Sequence, residues 1–151
     1  MSFGYSVGDI LAISKLACDV YNMYKDAPDN FSGISSEIKS LHIIVDSDNL
    51  QAKFQDPKLT SEERERLQEI LQECTNVLKG LDGLLMRYKS LGSHQDSDRV
   101  KQGQEDVAGL RARLTSNTIL LNTFTTRYVQ LLIFLLSLQN CPTVTGPYGV
   151  P

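Results

Sequence analysis

The chain alternates apolar stripes of helical period with short polar breaks, and no run shows the two-residue alternation of a strand. In the first stripe Ile10, Ile13, Leu16, Ala17, Val20, Tyr21 and Tyr24 recur at three- and four-residue spacing, which predicts a helix with one continuous oily face. Ser6 followed three residues later by Asp9 is a capping-box start, and Asp26-Ala27-Pro28 ends the run. Ile34, Ile38, Leu41, Ile44 and Val45 predict a second helix that ends near Phe54. Thr60-Ser61-Glu62-Glu63 is the sharpest helix start in the chain, a second capping box. It precedes a long stripe from Leu67 and Ile70 through Cys74, Val77, Leu78 and Leu81 to Leu85 and Tyr88. After a polar stretch at 91–98, Val100, Val107, Leu110, Leu114, Leu121, Phe124 and Tyr128 mark a fourth helix. Gly103 and Gly109 weaken it locally, by about 1 kcal/mol each relative to alanine.

Four stripes joined by short loops predict an all-α fold, an antiparallel four-helix bundle around one core. Beyond Tyr128 the pattern changes, because 128–138 is apolar almost all round. A helix end of this kind must be buried, meet another chain or lie against lipid, and internal burial and external contact stand level on pattern alone. If the contact is external, Leu131, Leu132, Phe134, Leu135 and Leu138 are its candidate residues. The domain organisation read from these patterns is a helical bundle over 1–127, an apolar helical extension over 128–138 and a flexible Gly/Pro-containing tail over 139–151.

Composition narrows the function classes. With 151 residues, 41% hydrophobic and 22% charged, the chain is one ordinary globular domain that needs no metal or disulfide to hold a core. A formal net charge of -3 supplies no basic face for nucleic acid, and the absence of tryptophan removes the best stacking residue. Asp9, Lys15, Asp19 and Lys25 interrupt the first helix, so it reads neither as a membrane span nor as a signal peptide, and 128–138 is too short to cross a bilayer. Three widely separated cysteines, Cys18, Cys74 and Cys141, read as free thiols in a reducing, cytoplasmic setting.

The residues that carry catalysis are scattered. His42 lies beside the apolar face of the second helix and His94 in a polar loop, so the two do not form a metal pair by spacing. Cys74 sits within an apolar stripe and Cys18 borders one, which suits small core residues better than nucleophiles. Gly80-Leu81-Asp82-Gly83 lies inside a helical pattern and Lys79 precedes its glycines, so no phosphate loop is present. Glu62, Glu63, Glu65, Glu69 and Glu73 gather toward the start of their helix, where they favour its dipole and solvent. The expectation is a protein with no enzymatic activity, no cofactor and no metal.

One group of residues points further. Ser6-Val7-Gly8-Asp9-Ile10-Leu11-Ala12, Lys15-Leu16-Ala17, Val20-Tyr21 and Lys25-Asp26-Ala27-Pro28 stand in that order, followed by Phe31, Ile34-Ser35-Ser36-Glu37 and Leu41-His42. Further along come the block from Cys74 to Leu81, then Tyr88-Lys89-Ser90-Leu91-Gly92, Leu110 to Leu114, Ser116-Asn117-Thr118 and Leu120-Leu121-Asn122. Over about residues 2–126 this pattern resembles the HeLo-like helical domains that stand in front of NACHT and other STAND-type NTPase modules in fungal NLR-like proteins. The resemblance implies a helical signalling or effector domain of regulated cell death or incompatibility, which oligomerises and targets a membrane with its first helix. After Thr126 the sequence departs from that pattern, since the apolar run replaces a polar continuation, and the tail carries no amyloid-templating motif.

Such an effector would insert the face formed by Ile10, Leu11, Ile13, Leu16, Val20 and Tyr24, with Lys15 and Lys25 meeting anionic headgroups. The competing expectation is a soluble adaptor that keeps that helix in its core and binds itself or another helical signalling protein. Either way the expected location is cytoplasmic. An anionic membrane surface enters as a partner only after activation, and nucleic acid is not expected.

Overall fold

A computed structural model describes residues 6–27, 31–90 and 97–139, with the side chains at 32, 97–105, 128, 129, 131 and 132 outside the description. The regular structure among the described residues is all α-helical: α1 Val7–Tyr24, α2 Ser32–Val45, α3 Asp48–Gln55, α4 Ser61–Ser90 and α5 Ser97–Gln139. The start of α1 follows the capping box, with the Asp9 carboxylate accepting from both the main-chain N–H and the hydroxyl of Ser6. Those two bonds hold the Asp9 carboxyl below its usual range, the main-chain one first. At α4 the Thr60 hydroxyl accepts from the Glu63 N–H at 3.2 Å, and the Glu63 carboxylate accepts from the Thr60 N–H at 3.0 Å.

The second predicted helix is two. It breaks at Asp46 and Ser47, where Ser47 is extended and its hydroxyl donates to the Ile44 carbonyl at 2.6 Å while accepting from the Leu50 N–H at 3.4 Å. One side chain thus serves the end of α2 and the start of α3, a local competitor to continuous helix that the apolar period does not register. The last helix, α5, runs unbroken for 43 residues and carries the apolar stretch 128–138 as a continuation of the same helix. The tail from 140 onward, with Cys141, and the loop residue His94 lie outside the described residues.

Named contacts orient the helices. Tyr24 lies edge-on to Phe31 at 5.9 Å and the Ser14 hydroxyl donates to Asp46 at 2.9 Å, so α1 and α2 run antiparallel. Arg113 pairs with Glu73, and Leu110 lies 3.0 Å from where a Cβ on Gly80 would stand, so α4 and α5 also run antiparallel. On the opposite side of α5, Arg111 donates to Glu37 of α2 at 2.7 Å, and the Lys53 ammonium of α3 stands over the Phe124 ring at 4.9 Å. The core between these helices holds Ile10, Ala17 and Val20 of α1, Ile38 and Leu41 of α2, Leu50 of α3, Leu71, Leu78 and Leu81 of α4, and Leu114 and Leu121 of α5.

Candidate functional site

Two apolar surfaces decide what this fold can do. The first is the face of α1. Ile10, Ile13, Val20 and Tyr24 are buried, and Leu16 is half-buried and packs against the core. Leu11, expected on the same face, is 50% exposed, because it lies one residue round from Ile10 and points past the seam with α2 and α4. Lys15 and Lys25 are on the solvent side. Two polar contacts, neither legible as a pair in the sequence, fasten the helix. Ser14, buried on the apolar face, donates to Asp46 at the α2–α3 corner, and the Tyr24 hydroxyl donates to the Leu81 carbonyl of α4 at 2.8 Å. A serine between Ile13 and Ala17 was the signal available for the first; nothing local points to the second.

Burial of Tyr24, helped by the nearby Asp82 carboxylate, pushes its phenol up to about 12, so it remains a neutral donor at any ordinary pH. Withdrawing α1 would return four buried large side chains to water at about 1.5–3 kcal/mol each, a sum comparable to the roughly 5–15 kcal/mol that holds a whole domain together. In this state the helix is therefore closed to lipid, and leaves only with a compensating surface.

The second surface is the end of α5. Ile133, Phe134, Leu135, Leu136 and Leu138 are all exposed, by 48% to 62%. Of the predicted contact residues, Phe134, Leu135 and Leu138 are thus on the surface, while the side chains of Leu131 and Leu132 lie outside the description. Helix length is the cause. The Glu73–Arg113 and Gly80–Leu110 neighbours set an antiparallel register that puts the start of α4 opposite about residue 127, so at 1.5 Å per residue the last dozen residues of α5 project roughly 18 Å past it. The arm carries a single charged residue, Arg127, at its base.

Several other polar groups have a local structural setting. Cys74 is buried and its thiol is pushed up to about 12, chiefly by desolvation, which removes its nucleophilicity. Glu73 is held below the usual carboxylate range by its bond from Arg113, and Glu63 by the Thr60 N–H. His42 is half-buried on α2 and makes no cluster: among the described residues no group of three or more His, Cys, Asp or Glu side chains could hold a metal ion. Among the same residues no helix is long and apolar enough to cross a membrane. No family model matches the chain, and no curated protein or solved structure matches it either.

Proposed function

We propose that this chain is a non-enzymatic helical signalling module of the HeLo-like kind that its sequence resembles, a four-helix bundle in which α2 and α3 together form one leg. Its place is the cytoplasm, as the N-terminal effector domain of a fungal NLR-like protein acting in regulated cell death or incompatibility. The observation that supports this reading is the state of α1, whose apolar face is buried and fastened by Ser14 and Tyr24 while its lysines face solvent. That is the resting form required of a conditional membrane effector: oligomerisation or an upstream receptor supplies the free energy, and the released face meets an anionic bilayer.

The test is dye release from anionic and neutral vesicles by the full chain and by a Ser14→Ala, Tyr24→Phe variant that loosens both fastenings while keeping the face apolar. Leakage from anionic vesicles that rises in the loosened variant is the expected result. If both proteins are folded and neither leaks either vesicle, the membrane role is overturned. The soluble adaptor reading then takes its place, favoured by the apolar end of α5 that is already exposed in the resting fold.

A further inference from the structure

The buried stripe of α5 has a strict seven-residue repeat. Val107, Leu114 and Leu121 stand seven apart, and so do Leu110, Asn117 and Phe124 three positions on. All six are buried or half-buried against the rest of the domain. These are the a and d positions of a coiled-coil seam, the period that keeps one stripe facing its neighbour along a long helix. The repeat does not stop where the bundle stops. In sequence it continues through Tyr128 and Leu131 to Leu135 and Leu138, on the stretch of α5 that extends past the start of α4.

We propose that the projecting end of α5 is a self-association seam, on which a second copy of this chain lays the same stretch of its own α5. Three observations commit the surface to that occupant. The repeat continues in phase with the seam that already packs within the chain, so a partner helix is the chemistry the spacing calls for. The stripe is self-complementary, because the arm beyond Arg127 has no charge that would repel its copy, and a two-fold arrangement gives both copies the same contact. The area is adequate. The five exposed apolar side chains present on the order of 500 Å² per copy, at the upper end of what a monomer leaves uncovered. Covering all five on two arms gives the roughly 1,000 Å² of a specific interface, whereas a two-stranded seam covers only Phe134, Leu135 and Leu138 of them, so the area favours assemblies of more than two arms. A dimer is the smallest such assembly, and larger clusters of arms also cover Ile133 and Leu136, which a two-stranded seam leaves at its back.

This inference rests on reading the chain as an associating module, and it is tested by mass, a quantity that vesicle leakage does not report. The full chain is run over a concentration series by light scattering or sedimentation, beside Leu135→Asp, Leu138→Asp and the control Ile119→Asp, which changes an exposed side chain on the outer face of α5 alongside the bundle. The expected result is a dimer or larger species for the wild type and for the control, and a folded, helical 16.8 kDa monomer for the two arm variants, whose melting temperature no longer rises with protein concentration. A wild type that is monomeric throughout overturns the proposal, as does an oligomer that both arm variants leave intact. A monomer that the arm carries onto lipid vesicles overturns it too, and assigns the surface to a membrane instead.

Discussion

The Tyr24 hydroxyl, at the buried end of α1, donates to the main-chain carbonyl of Leu81 in the middle of α4 at 2.8 Å, joining residues 57 positions apart. Around it the rings of Tyr24, Phe31 and Tyr88 stack edge to face at 5.9 and 5.1 Å, so the end of α1, the start of α2 and the end of α4 meet at one aromatic corner. Tyr24→Phe keeps the ring contacts and removes the bond. The expected cost is about 1 kcal/mol, read as a lower urea midpoint at unchanged slope.

The same residue sets a high-pH limit. Because folding raises the Tyr24 phenol from 10.0 to about 12 and the Cys74 thiol from 9.0 to about 12, the folded state holds both protons more tightly than the unfolded chain. Their contribution is complete below pH 9, begins to fall above pH 9 as Cys74 of the unfolded chain ionises and above pH 10 as Tyr24 does, and is lost by about pH 12. Melting temperature should fall across that window, and a Cys74→Ala, Tyr24→Phe variant should show a shallower fall than the wild type.

Two substitutions on α1 separate the buried face from its edge. Val20→Asp places a carboxylate in the core and should cost at least about 3 kcal/mol, leaving little folded protein. Leu11→Asp, at a half-exposed position, should stay within about 1 kcal/mol of the wild type by denaturant titration, and it alone permits a clean test of vesicle binding by that edge.

Three helical glycines should respond differently to alanine. A Cβ at Gly83 or Gly109 meets nothing within 4 Å, so each replacement should stabilise by about 0.5–1 kcal/mol through helix propensity. At Gly80 the new methyl would stand 3.0 Å from Leu110, where α5 crosses close to α4, and overpacking should cancel the gain or reverse it. Thermal melts of the three single variants check the order.

Asn117 sits at a buried seam position of α5, and its side-chain nitrogen has no hydrogen-bond partner among the described residues. Asn117→Leu should therefore raise stability, by on the order of 1 kcal/mol, since an unsatisfied buried amide is exchanged for apolar contact. A drop in melting temperature would assign the amide a role in fixing how α5 is set against its neighbours.

The local pattern carried far. Capping boxes at Ser6 and Thr60 and the stripes of α1 and α4 placed both helices, because these depend on neighbours three and four residues away. The α2–α3 corner was missed, since Ser47 and the Ser14–Asp46 bond act through hydroxyl geometry that hydrophobic period does not record. The face of α1 was legible except at its margin, where only packing distinguishes Leu11 from Ile10.

What the amino-acid sequence determined by itself is an all-helical chain, the side of each helix that seeks burial and the all-round apolar character of 128–138. What only the tertiary structure decided is where those faces end up. Periodicity describes one helix at a time, whereas burial depends on how far its neighbours extend. The α1 face is covered because α2 and α4 flank it, and the end of α5 is bare because α4 begins opposite about residue 127 while α5 runs on to Gln139.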